Sequence, residues 1–254
     1  MKEHRSNWRY ISWQGEPSYF KHSQAQALCN NAGFFPYPDD KAMMKYLSLA
    51  VEDMKQVDIL GSWRYNELCF KHELQRAIKV DRELMTPLLT DNPWSSALKG
   101  KRVLVIHPFA ETIQFQYKRR EALFPNTNIL SEFTLFTLKA VQTQLGNKSE
   151  FKDWFEALQW MKDEMDKIDY DICLIGCGAY GFHLAAHCKR KGKQAIHLGG
   201  VLQLLFGIKG KRWESEGCYR TTYRYIDYYN DNWVRPSDAE RPIQADLVEG
   251  GCYW

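Results

Sequence analysis

The sequence lacks the features that mark several large protein classes. No apolar run approaches the ~18–20 residues that a membrane-spanning helix needs, and there is no signal peptide, internal repeat or low-complexity tract. The seven cysteines stand at irregular spacings that give neither a disulfide framework nor a zinc pattern. An odd cysteine count without a signal peptide is typical of a reducing compartment. We therefore expect a cytoplasmic protein, which can still contact a membrane peripherally.

The charge balance also bears on the class of partner. The 254 residues are 44% hydrophobic and 26% charged, with a formal net charge of +3, which suits a globular chain with a single domain over residues 1–254. So small an excess argues against nucleic acid as the partner, and no nucleic-acid-binding motif is present. Cationic residues do cluster at 118–120, 189–193 and 209–212, which indicates an anionic ligand.

Apolar patterns along the chain predict alternating strands and helices. Strands are predicted at 57–60, 101–106, 127–130, 172–175 and 194–198. Helices are predicted near 22–32, 39–54 and 67–90, from 110, at 150–167, after the turn that ends at 181, and at 200–207. This alternation predicts an α/β, three-layer Rossmann-like fold with helices on both faces of a mostly parallel sheet. Residues 1–21 are expected to form an N-terminal arm, and residues 214–254 an irregular aromatic C-terminal tail that packs on the body.

The most informative segment is a predicted strand–turn–helix–strand unit between Asp171 and Gly200. Its first strand runs into the turn Gly176–Gly181, whose glycines let backbone N–H groups approach a ligand. The N-terminus of the following helix carries partial positive charge. The unit therefore predicts a site for a phosphate or another anion, formed by Gly176, Gly178, Ala179, Tyr180 and Gly181.

Other strand ends also carry distinctive residues. The sequences GSWRYNE (61–67), HPFAE (107–111) and HLGG (197–200) follow the strands predicted before them. Ligands of parallel sheets bind beyond the carboxyl ends of the strands. We therefore expect these three ends and the glycine turn to face one crevice.

The glycine turn first suggests a Rossmann enzyme that uses NAD, a flavin or S-adenosylmethionine. Such an enzyme needs an acidic residue near the end of the next strand, where His197 and Gly199 stand instead. A P-loop is excluded because no Gly-Lys-Ser/Thr follows the glycines. His183 and His187 share a helix face at metal-ligand spacing, but with no third ligand evident we expect them to pack or to face solvent.

The runs GCGAYG, GKQAIHLGG, GIKGKRW and EGGCYW resemble proteins encoded in polysaccharide-biosynthesis loci, over about residues 55–254. The layout is more distantly similar to the GT-D class of glycosyltransferases, which has an early acidic strand–loop and a late glycine turn, helix and strand. The resemblance implies a UDP- or GDP-linked sugar donor and transfer of a glycosyl group to a glycan acceptor. GT-D enzymes carry Asp-x-Glu in the first loop, whereas residues 64–67 read Arg-Tyr-Asn-Glu, which puts Mg²⁺ or Mn²⁺ dependence by that route in doubt.

Sugar transfer from a nucleotide donor needs a stabilised diphosphate leaving group, which cations and backbone N–H groups can supply without a metal. It also needs a base for the acceptor hydroxyl, and the candidates are Glu67, Glu111 and His107. The remaining candidate substrate-binding residues are Trp63, Asn66, Arg119, His197, Gly199, Gly200, Gln203, Lys209, Lys211 and Arg212. A NAD- or S-adenosylmethionine-dependent Rossmann enzyme and a non-catalytic glycan- or nucleic-acid-binding module stay open as alternatives.

Overall fold

The computed structural model describes residues 10–11, 17–18, 20–125, 127–214 and 224–254. The described strands are β1 (Tyr10–Ile11), β2 (Pro17–Ser18), β3 (Ile59–Ser62), β4 (Ile78–Asp81), β5 (Arg102–His107), β6 (Thr134–Lys139), β7 (Ile172–Ile175) and β8 (Gln194–His197). The described α-helices are α1 (His22–Ala32), α2 (Asp40–Met54), α3 (Ala110–Tyr117), α4 (Arg120–Leu123), α5 (Trp154–Asp166), α6 (Gly181–Arg190) and α7 (Leu202–Leu205). Short 3-10 helices fill many of the connections between them.

The main sheet has four parallel strands in the order β6-β5-β7-β8. The chain therefore moves outward in one direction from β5 to β6, returns past β5 to β7, and continues to β8. Right-handed crossovers put the helices of the two directions on opposite faces of such a sheet. The chain thus has the predicted α/β, Rossmann-like fold, and its topology reverses between β5 and β7.

Strand β5 shows how the sequence builds three layers. Val103 and Val105 belong to a core cluster with α3 and α7, whereas Leu104 and Ile106 belong to a second cluster with α5 and α6. All four side chains are fully buried, as expected for a central parallel strand covered on both faces. Successive residues of the strand therefore anchor opposite helical layers.

Several predicted helices are confirmed, and local capping explains their limits. Helix α2 begins after Asp39, whose carboxylate accepts a hydrogen bond from Ala42 N at 2.7 Å. Helix α5 begins after Asp153, whose carboxylate accepts one from Glu156 N at 2.8 Å. These contacts satisfy N–H groups that have no partner inside the helix. Helix α7 covers only the centre of the predicted 200–207.

Two predicted elements are wrong. Residues 67–90 are not one helix: a 3-10 helix (Tyr65–Phe70), strand β4 and further 3-10 turns occupy this range. The alternation of Ile78 and Val80 with charged neighbours is the period-two pattern of a strand. Residues 127–130 are not a strand; Ile129 and Leu130 are buried in a turn, and the strand is β6.

The predicted strand 57–60 lies two residues further on, as β3, and it does not join the main sheet. It pairs in parallel with β4 in a separate two-stranded sheet. The expectation that its end shares a crevice with the other three strand ends is therefore wrong. The fourth strand of the main sheet is β6 instead.

The aromatic tail packs on the body in the part that the structure describes. Tyr225 and Trp233 are buried in the core cluster on the α3 side, and the tail from 224 onward contains only 3-10 helices, turns and one isolated bridge. Residues 215–223 and most of the predicted arm lie outside the described residues. Within the described part, every helix is too short or too polar to span a bilayer.

Candidate functional site

A small cavity lies where the sheet topology reverses. His107, Pro108 and Phe109 line it from the end of β5, and Gly176, Cys177 and Gly178 line it from the end of β7. In open α/β sheets, this switch point is where the outgoing chains diverge and leave a crevice for a ligand. The remaining lining residues are Asn31, Gln142, Gln144, Gly200, Gln203, Tyr253 and Trp254.

Three successive backbone N–H groups stand at the bend after β7. The Gly176 N–H donates to Ile106 O and the Tyr180 N–H donates to Cys177 O. Between them, the N–H groups of Cys177, Gly178 and Ala179 find no acceptor among the described residues. Consecutive N–H groups at such a bend form a concave site for an anion. The glycine turn therefore offers three successive backbone donors.

The glycines of this turn are required by protein contacts as well. Gly178 has a φ of +57°, and a Cβ atom added there would overlap the carbonyl oxygen of Ala32. A Cβ atom at Gly176 would lie 2.6 Å from Gly199 O and 2.7 Å from a carbon of His107, and one at Gly181 would overlap the His197 ring. The bend is thus held tightly between α1, β5 and β8.

His107 presents a hydrogen-bond donor at this bend. The Phe109 N–H donates to His107 Nδ1 at 3.0 Å, so the ring proton of the neutral imidazole resides on Nε2. Burial lowers the pKa of His107 to about 3, so the ring is neutral at physiological pH. This geometry favours donation to a ligand oxygen over the base role that the sequence suggested.

Three cavity-lining residues carry buried polar atoms that have no hydrogen-bond partner in the described structure: Gln144 Oε1, Gln203 Oε1 and Trp254 Nε1. The orientation of the Gln203 amide is fixed because its Nε2 donates to Ile208 O at 3.3 Å, to Lys209 O at 3.0 Å and to Tyr253 O at 3.2 Å. An unpaired buried acceptor costs about 1–3 kcal/mol. These three atoms have almost no solvent-accessible surface, so they lie behind the wall of the cavity and not on its open surface.

Tyr253 and Trp254 line the cavity beside Gly200 and Phe109. A Cβ atom at Gly200 would overlap the Tyr253 ring, and the Trp254 ring lies edge-on to Phe109 at 6.0 Å between centroids. The cavity volume is about 50 Å³, several times the ~10–15 Å³ that one water needs but far below the roughly 300–1,000 Å³ of drug-sized pockets. A phosphate group is of the size that fits this space, which is partly open to solvent, whereas a complete nucleotide extends beyond it.

The cations predicted to bind phosphate lie outside the cavity lining. The Arg212 N–H donates to Cys252 O at 2.9 Å, and the guanidinium binds Tyr253 Oη at 3.0 Å and the Glu249 carboxylate. Lys211 Nζ donates to Gly250 O at 3.3 Å. These two cations therefore contact the segment 249–254, which contributes Tyr253 and Trp254 to the cavity lining.

Two further predicted cations are held elsewhere in the tail. Lys209 Nζ lies over the Tyr229 ring at 5.7 Å. Arg119 donates to Gln116 Oε1 at 2.7 Å and to Asn232 O at 2.5 Å. Arg119 thus joins the end of α3 to the tail, away from the carboxyl ends of the strands.

The second helix N-terminus at this edge of the sheet is already occupied. The buried carboxylate of Glu240 accepts hydrogen bonds from Glu111 N at 2.7 Å, from Thr112 N at 3.3 Å and from the Thr112 hydroxyl. The Glu111 side chain itself is exposed and lies 3.3 Å from Lys139 Nζ. The N–H groups at the start of α3 are therefore already hydrogen-bonded to Glu240, and the unpaired N–H groups at this edge are those of the turn after β7.

Glu67 belongs to the separate sheet and not to the cavity. Its carboxylate accepts hydrogen bonds from Ser62 Oγ at 2.5 Å, Trp63 N at 2.9 Å and Arg64 N at 2.8 Å. Partial desolvation raises the pKa of Glu67, but these hydrogen bonds and the charge of Lys79 outweigh it and lower the pKa to about 2. Glu67 thus stabilises its own loop, in which Trp63 and Asn66 are exposed.

Of the predicted site residues, the structure brings His107, Gly176, Gly178, Gly200 and Gln203 together around the cavity. Ala179 contributes a backbone N–H at the bend, while Gly181, His197 and Gly199 pack around the turn without lining the cavity. Tyr180 points into the core, where its ring stacks on Trp154 at 5.3 Å. Eight lining residues were not predicted as site residues: Asn31, Pro108, Phe109, Gln142, Gln144, Cys177, Tyr253 and Trp254. The last two belong to the motif EGGCYW.

The two histidines of α6 have separate acidic partners. His183 Nδ1 lies 2.6 Å from Asp53 Oδ2 in the core, and His187 Nε2 lies 2.9 Å from Asp166 Oδ1. Among the described residues there is no group of three or more His, Cys, Asp or Glu side chains arranged to hold a metal ion.

Comparison of the chain with protein-family models, with curated proteins and with solved structures found no match in any of the three.

Proposed function

We propose that this protein binds the phosphate of a UDP- or GDP-linked sugar at the switch-point cavity and transfers the glycosyl group to a glycan acceptor. The observation that carries the proposal is the row of three N–H groups, at Cys177, Gly178 and Ala179, that have no acceptor among the described residues. They lie at the crevice where α/β sheets bind nucleotides. Anions bind such rows of donors strongly because both the N–H groups and the following helix dipole favour negative charge.

The neighbouring groups suit the departure of a diphosphate. His107 Nε2 is a neutral donor beside the bend, so it can stabilise charge that develops on a leaving oxygen. In the proposed transfer, the bond between the anomeric carbon and the diphosphate oxygen breaks, and a bond from that carbon to the acceptor oxygen forms. The acceptor hydroxyl loses its proton to a base. We assign the role of this base to Glu111. Helix α3 begins directly after the cavity residues that follow β5, so Glu111 lies at this edge of the sheet.

A binding panel tests the proposal. UDP, GDP, UDP-glucose, GDP-mannose, NAD and S-adenosylmethionine are compared by calorimetry and by thermal shift, in which a ligand at 100 times its Kd stabilises by about 2.7 kcal/mol. We expect binding by nucleoside diphosphates and their sugars. Binding by NAD or S-adenosylmethionine alone would instead favour a Rossmann oxidoreductase or methyltransferase.

Paired variants connect the binding to the site. His107→Leu removes the Nε2 donor and should weaken UDP or GDP binding by about tenfold, the value of one hydrogen bond to a charged group. His107→Gln keeps a donor and should weaken it less. Equal affinities for wild type and His107→Leu would place the phosphate elsewhere.

Transfer itself is tested with two matched glutamate variants. Glu111→Gln should lower the turnover of a donor and glycan acceptor by at least about 100-fold without changing donor affinity, since general-base catalysis contributes about that much. Glu67→Gln should leave turnover near that of wild type, because the Glu67 carboxylate already accepts hydrogen bonds from backbone N–H groups of its own loop. If Glu67→Gln loses turnover and Glu111→Gln does not, Glu67 is the base.

A further inference from the structure

The small parallel sheet of β3 and β4 belongs to a segment, residues 57–85, that buries almost none of its side chains. We call this segment the β3–β4 unit. Leu74 is the only buried residue in this range, all of which the structure describes. Six of the twelve large apolar side chains that are exposed in the described structure belong to the unit: Ile59, Trp63, Tyr65, Leu68, Ile78 and Leu84. Such a concentration marks a surface that contacts a partner, whereas single exposed apolar residues are common.

The register of the two strands places Ile59 and Ile78 side by side. Their Cα atoms are partners in the parallel pairing, so both side chains point to the same face of the sheet, where they are 55% and 66% exposed. Further along this face, a Cβ atom added at Gly61 would lie 2.9 Å from a carbon of Met85. The 3-10 helix Arg82–Met85 therefore covers the later part of the face and leaves its beginning open.

The opposite face of the small sheet has a cover of its own. Ser62 and Lys79 point to that face, and both contact the Glu67 carboxylate, at 2.5 Å and 3.6 Å. Parallel sheets occur almost only where both faces are covered. Among the described residues, nothing supplies that cover to the beginning of the face that carries Ile59 and Ile78.

The residue types beside this open face are those of a protein interface. Trp63 follows directly after β3, and more than half of its side chain is exposed. The guanidinium groups of Arg64 and Arg82 lie 3.8 Å and 4.8 Å from the centre of its ring. Tyr65 is the most exposed large apolar residue of the unit. Trp, Tyr and Arg are the residues that contribute most to contacts between proteins.

The charges of the β3–β4 unit indicate which partner fits. Five charged residues of the unit, three cations and two acids, form no ion pair within the described structure: Arg64, Lys71, Arg76, Asp81 and Glu83. An anionic bilayer or a nucleic acid requires a clear excess of cations. A surface that carries unpaired charges of both signs is instead complementary to a second copy of itself, which a two-fold axis places opposite it.

We infer that this protein forms a two-fold symmetric dimer in which the face with Ile59 and Ile78 packs on the same face of a second copy. These two side chains and Trp63 form the apolar centre of the interface, and the unpaired charges of one copy meet those of the other. The second copy thereby supplies the layer that the small parallel sheet requires. The dimer is independent of the ligand that the switch-point cavity binds.

Sedimentation velocity of the full chain over a range of concentrations tests the dimer. Wild type should sediment as a species of twice the chain mass of 29.9 kDa. Ile78→Asp places a charge at the centre of the interface and should raise the dissociation constant of the dimer by at least about 30-fold, as the loss of one central interface residue does. Ile59→Asp should act in the same direction from the neighbouring strand.

Ile243→Asp is the matched control. Ile243 is 79% exposed and lies outside the β3–β4 unit, so the same substitution there should leave the dimer intact. Far-UV circular dichroism of each variant should match that of wild type, because the replaced side chains are exposed. If Ile78→Asp does not fold, Ile78→Ser takes its place, and it should raise the same dissociation constant without adding a charge.

Two results would overturn the dimer. One is a wild-type chain that stays monomeric at about 100 μM, a concentration at which even an interface of micromolar affinity is formed. The other is a dimer whose dissociation constant is the same in wild type, Ile78→Asp and Ile59→Asp. Vesicles that contain phosphatidylserine are tested alongside, and binding by a monomeric wild type that is lost in Ile78→Asp would assign this face to an anionic membrane instead.

Discussion

At the scale of single residues, Gly178 is where the bend after β7 is most restrictive. Its φ is +57° and its missing side chain leaves room for Ala32 O. Gly178→Ala should reduce the free energy of unfolding by about 2–5 kcal/mol, because a left-handed backbone costs about 1–2 kcal/mol and an overlap with backbone adds about 1–3. Urea unfolding measures the change.

Gly192 supplies the matched control for this substitution. Its φ is +73°, but nothing lies within 4 Å of an added Cβ atom. Gly192→Ala should therefore lose only the conformational part, about 1–2 kcal/mol. Equal losses in the two variants would show that the contact with Ala32 contributes nothing.

His107 gives the molecule a defined response to acid. Burial lowers its pKa from 6.5 to about 3, so between these values the unfolded chain binds a proton that the native chain does not. This contribution to stability is complete above pH 6.5 and is lost as the pH falls toward 3, with a slope of at most about 1.4 kcal/mol per pH unit. In His107→Gln, unfolding free energies measured between about pH 4 and 7 should show a slope shallower by up to this amount. Identical slopes would mean that the ring titrates normally in the native state.

At the scale of elements, α2 and α6 are joined by a buried ionic contact. The Asp53 and His183 side chains are both fully buried at 2.6 Å, and Arg190 Nη2 lies 2.5 Å from the second Asp53 oxygen. Asp53→Ala leaves two polar partners uncompensated and should destabilise the protein by about 3–5 kcal/mol. Thermal and urea unfolding give the value.

Asp166, the last residue of α5, provides the comparison because it also pairs with a histidine of α6. It pairs with His187 at 2.9 Å and Lys191 at 2.8 Å, but nearer the surface. Asp166→Ala should lose about 1 kcal/mol or less, as exposed ion pairs do. If Asp53→Ala loses no more unfolding free energy than this, the buried contact does not stabilise the packing of α2 on α6.

Elements with local signals were predictable from the sequence. The caps Asp39 and Asp153 and the strand–turn–helix unit after Asp171 all depend on neighbouring residues, so their patterns survive without tertiary context. Strand β6 was missed because its sequence TLFTLK is only partly buried at the edge of the sheet. The apolar pair Ile129 and Leu130 was mistaken for a strand because burial in a turn gives the same short apolar run.

Residues of the candidate site were likewise predictable where the signal is local and not where it depends on distant parts of the chain. The glycine turn was found because positive φ and close approach demand glycine at fixed local spacing. The glutamine oxygens were not foreseen, because an unpaired acceptor depends on which distant carbonyls occupy the nitrogen of the amide. The basic cluster 209–212 was assigned to phosphate although Arg212 and Lys211 contact the segment 249–254, a contact between distant parts of the chain.

At the scale of the whole molecule, the segment 249–254 forms one side of the cavity. Tyr253 and Trp254 line the cavity, and Arg212 contacts the segment through Cys252 O, Tyr253 Oη and the Glu249 carboxylate. Glu249 has a positive φ, a conformation that residues with a Cβ atom adopt reluctantly, whereas glycine adopts it readily at positions 250 and 251. The position of this side of the cavity therefore depends on Arg212.

Arg212→Ala should loosen the segment 249–254. It removes the hydrogen bond to Tyr253 Oη and the ion pair with Glu249, and it keeps the backbone bond to Cys252 O. Hydrogen exchange of the amides at 249–254 should therefore accelerate in the unliganded variant, by about tenfold for a loss of about 1.5 kcal/mol. The Kd for UDP or GDP should stay close to that of wild type, because Arg212 does not line the cavity. Lys209→Ala is the control, because Lys209 Nζ contacts Tyr229 rather than this segment, and it should change neither quantity. If Arg212→Ala weakens the diphosphate, the guanidinium binds phosphate itself, and its assignment to the segment 249–254 is wrong.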